Sequence, residues 1–123
     1  MNKKAEELNN LDEQKYELIV CILNKGSTDL AINAAKSKGA TGGTVFQARG
    51  TGNKEVGKFY GIDIVPEKEV LLIVVKKELS DEILKAMYEA AGLDTVGAGI
   101  IFTLPIHEVV GLTDANKLNF DKF

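Results

Sequence analysis

Histidine and cysteine each occur once among the 123 residues, proline twice, and tryptophan not at all. The lone Cys21 excludes an internal disulfide, and inside the apolar run Leu18 to Leu23 it reads as small core filling. With His107 as the one imidazole, a two-histidine zinc site cannot be built within a single chain. No apolar run reaches the ~18 to 20 residues of a membrane span, and Met1 to Gln14 is too polar for a secretory leader. The expected location is therefore cytoplasmic. The charge lacks a dominant sign as well: 15 Lys+Arg against 18 Asp+Glu give −3, without the basic block of a nucleic-acid binder. There is no G-x-x-x-x-G-K-[ST] motif, activated nucleophile or clear acid/base carboxylate pair, which points away from an enzyme.

What the chain does have is a repeat. One copy runs from Glu17-Leu18-Ile19-Val20 through Thr28-Asp29 to Gly42-Gly43-Thr44-Val45-Phe46. The other, 52 residues on, runs from Glu69-Val70-Leu71-Leu72 through Ser80-Asp81 to Gly97-Ala98-Gly99-Ile100-Ile101-Phe102. Each copy reads as strand, helix, strand. Two such units imply the α+β, ferredoxin-like βαββαβ arrangement, an antiparallel sheet with two helices on one face. Its second face is apolar and must be covered by something else, so a homo-oligomer, a trimer or dimer, is expected.

The boundaries follow from local chemistry. Residues 1–15 form an arm or short helix, 16–113 the domain, and 114–123 a polar tail. The near-continuous apolarity of Tyr16 to Leu23 predicts a central strand buried on both faces. Ser27 or Thr28 is placed to cap a first helix with Leu30, Ala31, Ala34 and Ala35 on its buried face, and Gly39 ends it. Ser80 is placed to cap a second helix with Ile83, Leu84, Met87 and Tyr88 inward, closed by Gly92. Val96 to Leu104 reads as the last core strand, with Pro105 ending it.

Chemistry is expected at two glycine-rich stretches, Arg49-Gly50-Thr51-Gly52 and Gly97-Ala98-Gly99, because exposed backbone N–H groups can form an anion-binding nest. Their matching places in the two repeats suggest that one subunit's first stretch meets another's second. The polar segment between Gly52 and Pro66, with Lys58, Phe59 and Tyr60, is a candidate partner-binding loop.

These features together resemble the nitrogen regulatory protein P-II family over roughly Tyr16 to Thr113: an apolar strand, a capped helix, a Gly-x-Gly-closed strand, a loop to Val65-Pro66, then Val96-Gly97-Ala98-Gly99-Ile100-Ile101-Phe102. The resemblance implies a homotrimeric signal protein that binds ATP or ADP between subunits and touches transporters or enzymes through a long T-loop. It places Thr44, Gly50, Gly52 and Ile73 beside the adenine and ribose, and Gly97 and Gly99 around the phosphates. The family's basic residues are missing: Ile100 stands for a lysine, Gly111 and Thr113 for two arginines, and Glu67 for the lysine after Val-Pro. Lys54 stands for the T-loop glutamine, and the loop is shorter by about six residues. Tyr60 falls near the family's modified tyrosine. Each lost cation removes a charge-assisted hydrogen bond, typically ~1.5 to 3 kcal/mol, so a rebuilt anion site is expected, with Arg49, Lys54 and Lys58 as replacement cations. The ligand expected is a small anion, ATP, ADP or another adenine nucleotide among the candidates. Two alternatives remain: a metal-binding trimer similar to CutA, with His107 copies converging on one ion, and a scaffold module in which the glycines serve only the bends.

Overall fold

The computed structural model describes residues 15–50, 57–59 and 62–112. In chain order the elements are β1 (Tyr16–Asn24), α1 (Thr28–Ser37), β2 (Thr44–Arg49), β3 (Gly57–Phe59), β4 (Ile62–Ile64), β5 (Glu67–Lys76), α2 (Lys77–Ala90) and β6 (Gly99–Ile106). Four strands form one sheet in the order β2-β5-β1-β6, and every neighbouring pair is antiparallel. The two helices pack against each other, and α2 also meets β1 and β5. This is the α+β, ferredoxin-like arrangement. Within the partner-loop candidate, β3 and β4 pair antiparallel as a separate two-stranded ladder.

Side chains alternate across a strand, so the register assigns each face. On the helix side Ile19 stands opposite Ile73, and Cys21 opposite Leu71; with Leu23 and Val75 they bury against Ala31, Ala35, Ile83 and Met87. The opposite face carries Leu18, Val20 and Ile22 of β1, Val70, Leu72 and Val74 of β5, Phe46 of β2, and Ile100, Phe102 and Leu104 of β6. Phe46, Ile100, Phe102 and Leu104 are exposed, giving the chain an apolar sheet face open to solvent. The expectation that β1 is buried on both faces is corrected accordingly: Leu18 and Ile22 are only half-buried, because that side has no helix over it.

The helices differ from their sequence pattern in one direction. Ala31 and Ala35 bury at i and i+4, but Leu30 lies one step around the helix and is 58% exposed. Likewise Ile83 and Met87 bury while Tyr88 is exposed. Ser80 does not cap α2. β5 runs into the helix without a loop, Lys76 takes the cap position with no side-chain cap, and the backbone N–H of Lys77 donates to the Lys15 carbonyl at 2.8 Å. Pro105 does not end β6 but sits within it, opposite Glu17. Its missing donor is tolerable because β6 is an edge strand.

Ser80 and Thr28 instead serve the join between repeats. Ser80 Oγ donates to Glu17 Oε2 at 2.7 Å, and Thr28 Oγ1 donates to Glu69 Oε1 at 3.2 Å. Glu69 Oε1 also accepts the Gly26 N–H at 2.6 Å, so a carboxylate from the other repeat sits at the start of α1, where the helix dipole favours negative charge.

Candidate functional site

The two glycine stretches begin at one end of the same sheet. β2 leaves that end at Arg49-Gly50, and β6 enters it at Gly99. Between them lie the last residue of β1 and the second of β5, Asn24 and Lys68, paired in register. Lys68 Nζ donates to Asn24 Oδ1 at 2.6 Å, and Asn24 Nδ2 donates to the Gly97 carbonyl at 3.0 Å. An ammonium is thus wired to the second glycine turn through one amide side chain. On the other side, a Cβ added to Gly50 would stand 4.0 Å from Lys68 Cγ. Lys68 is only 7% exposed, a degree of burial that lysines rarely reach unless they are paired.

Beside Lys68 is an open depression of about 190 Å³ lined by Lys25, Gln47, Ala48, Arg49, Glu67 and Lys68. Lys25 Nζ lies 2.9 Å from Glu67 Oε2. The hydrogen bond and charge of Glu67 hold the Lys25 ammonium above its ordinary pKa. Conversely Lys25, and more weakly Arg49, hold the Glu67 carboxyl below its own. The residue that replaces the expected lysine after Val65-Pro66 therefore does not leave the region acidic, since Lys25 from the β1–α1 turn neutralises it. Both side chains are more than half exposed, so the pair orients charge more than it stabilises the fold.

The other site residues do not form one group. Thr44 and Arg49 are exposed on β2. Ile73 is a core residue, 1% exposed and packed on the helix side, so its side chain lines no surface of this chain. Thr51, Gly52, Lys54 and Tyr60 lie outside the described residues; Lys58 and Phe59 belong to β3. In the second stretch, Gly97 has φ 81° and supplies the carbonyl to Asn24, while the Ala98 N–H donates to the Thr95 carbonyl at 3.1 Å. Gly99, with φ 150°, is pressed onto β1: a Cβ there would run into the backbone oxygen of Ile22 and crowd Leu23 and Leu93. Packing alone requires glycine at this position of the turn. Sequence reasoning missed Asn24, Lys25 and Lys68 as members of the region. Asn24 and Lys68 are 44 residues apart, and no local pattern joins them.

Cys21 is fully buried and its thiol is pushed up to about 11 by that burial, which keeps it protonated and inert. Among the described residues no three His, Cys, Asp or Glu side chains gather as a metal site, and no helix is long and apolar enough to cross a membrane.

The fold and this region can be set beside known proteins. The family model for nitrogen regulatory protein P-II matches residues 16–115. A curated relative, nitrogen regulatory protein P-II 2 of Methanothermobacter thermautotrophicus, is 31% identical over 98 residues, spanning 75% of this chain and 84% of that protein. Among solved structures, Arabidopsis thaliana PII bound to citrate superimposes with a TM-score of 0.67 at 23% identity, over 86% of this chain and 95% of that one. Sequence pattern, strand order and comparison agree, and the chain belongs to the nitrogen regulatory protein P-II family.

Proposed function

We propose that this chain is a P-II signalling protein that works by binding rather than by catalysis, as a homotrimer that takes a small anionic ligand at its intersubunit clefts. The observation that carries this reading is the convergence of Arg49-Gly50 and Gly97-Gly99 on one end of the sheet, with Lys68 and Asn24 between them. An adenine nucleotide is the first candidate ligand. The loss of cations at Ile100, Gly111 and Glu67 argues for a ligand with less charge than ATP, since each missing contact costs about 1.5 to 3 kcal/mol. Citrate on the Arabidopsis relative supports a carboxylate anion as a further candidate.

The trimer reading rests on the open sheet face. Phe46, Ile100, Phe102 and Leu104 would bury against neighbouring copies, each side chain contributing ~1.5 to 3 kcal/mol if fully covered. Assembly would bring one subunit's Gly50 stretch toward another's Gly97 stretch. The segment from residue 53 to 65, carrying Lys58, Phe59 and Tyr60, would contact a transporter or enzyme, and ligand-dependent ordering of it would be the switch.

Calorimetry of the full chain with ATP, ADP, AMP, cyclic di-AMP and citrate tests the ligand claim. Saturable binding of at least one is expected. Blank titrations with all five would remove it.

A further inference from the structure

We infer that Asn24 is a positioning residue for the anionic ligand: its side-chain amide clamps the peptide between Gly97 and Ala98, and so fixes how the turn that opens β6 presents its N–H groups. The inference rests on the ligand-binding reading above. The group received there is an oxyanion, a phosphate or carboxylate oxygen, because what the turn offers is donors.

The turn is closed by the Ala98 N–H, which donates to the Thr95 carbonyl at 3.1 Å. Gly97 holds its third position with φ 81°, the value a type II turn requires there and one that glycine takes without strain. Asn24 Nδ2 donates to the Gly97 carbonyl at 3.0 Å. The peptide linking Gly97 to Ala98 is therefore held at both polar atoms, its N–H by Thr95 and its oxygen by Asn24. Just beyond it, Gly99 lies against the backbone oxygen of Ile22, which pins the exit from the turn. The preceding peptide is not held in this way. No backbone carbonyl among the described residues accepts the N–H of Val96 or of Gly97, and the Val96 side chain is 94% exposed, so this part of the turn faces solvent. Two successive N–H donors beside a residue of positive φ are the elements of an anion-binding nest.

The Asn24 amide can point only one way. An ammonium donates and never accepts, so Lys68 Nζ, at 2.6 Å, takes the Asn24 oxygen and leaves the amide NH2 for Gly97, whatever further contact Lys68 makes. Asn24 is itself held as the last residue of β1, in register with Lys68. Its bond to Gly97 spans 73 positions and ties the first repeat to the glycine turn of the second.

The test titrates the full chain by calorimetry with inorganic phosphate, citrate, AMP, ADP and ATP, and compares wild type with Asn24→Ala, Asn24→Asp and Ser37→Ala. At least one anion should bind the wild type, and which one does identifies the source of the oxyanion. Asn24→Ala should weaken it by about three- to tenfold, the scale of one hydrogen bond. Asn24→Asp keeps an acceptor for Lys68 but cannot donate to Gly97, so it should bind no better than Asn24→Ala. Its deficit should persist at about 1 M salt, where charge repulsion is screened beyond about 3 Å. Ser37→Ala, which removes an exposed hydrogen bond at the end of α1, should bind as the wild type does. Wild-type affinity in Asn24→Asp would show that the amide serves Lys68 alone. That result, or wild-type affinity in Asn24→Ala, overturns the positioning role and leaves the ligand-binding reading standing. No anion binding by the wild type overturns both. Should the Asn24 variants fail to fold, amide NMR of the wild type decides. The bound anion should shift the Val96 and Gly97 N–H resonances, and shifts confined to other regions would refute the assignment.

Discussion

Ser80 of α2 donates its hydroxyl to Glu17 of β1 at 2.7 Å, and the same contact recurs in the other direction, 52 residues displaced, between Thr28 of α1 and Glu69 of β5. Each hydroxyl is buried, and each belongs to the opposite repeat from its carboxylate. The two repeats therefore hold each other's helix starts, and the contact is charge-assisted in both places.

Removing one hydroxyl strands a partly buried carboxylate. Ser80→Ala and Thr28→Ala should each lower stability by about 1 to 3 kcal/mol, with Ser80→Ala the larger because its bond is shorter and Glu69 keeps the Gly26 N–H. Urea unfolding of the two single variants and the double variant measures this. Near-additive losses are expected if the two joins act independently.

Gly99→Ala should be among the most damaging single changes in the described residues. The new methyl would collide with the backbone of Ile22, and alanine is strained at φ 150°. A loss of about 3 kcal/mol or more, or insoluble expression, is the expected result. Gly42→Ala, where nothing lies within 4 Å, is the control and should change little.

The exposed apolar face gives a prediction about assembly. Phe46→Glu or Phe102→Glu places a charge on the face that a second copy would cover. Light scattering coupled to size exclusion should show three chains per particle for the wild type and a shift toward monomer for the variants. A wild-type protein that runs as a monomer at micromolar concentration would overturn the trimer reading.

Cys21 links stability to alkaline pH. Its folded-state pKa is raised from 9.0 to about 11, so above pH 9 the unfolded chain releases a proton that the folded chain retains. This contribution is complete below pH 9 and is lost as pH rises toward 11, by at most about 2 to 3 kcal/mol for a two-unit shift. Denaturant curves of wild type and Cys21→Ala across that range should converge as pH rises. A constant difference would show that the thiol does not titrate in this way.

The repeat, the antiparallel βαββαβ arrangement that it implies and the apolar open face were legible because each rests on local periodicity. Val70 to Val75 and Leu18 to Leu23 each carry their strand signal in six residues. Ser80 was misread because a serine before an amphipathic run has the pattern of a cap, while the true helix start depends on β5 continuing straight through Lys76. A signal for its real role was present: Glu17 and Glu69 share the offset that separates Thr28 and Ser80. Pro105 misled for a related reason, since proline reports a missing donor but not whether its strand lies at an edge. At the candidate site the glycines and Arg49 were visible, and the other two cations were not. Lys25, Asn24 and Lys68 meet only after β1 and β5 pair, and that pairing joins residues more than 40 positions apart.

The strand order β2-β5-β1-β6 has a consequence for how the protein is made. In each half the two strands of the main sheet never touch each other: β1 pairs with β5 and β6, and β2 pairs with β5. A nascent chain emerging from the ribosome cannot form a single ladder of this sheet until β5 has been synthesised. The first half must wait, with its apolar residues uncovered, for the second to arrive. Long-range pairing of this kind favours late, all-at-once folding over stepwise growth, and makes the waiting half a natural client for chaperones.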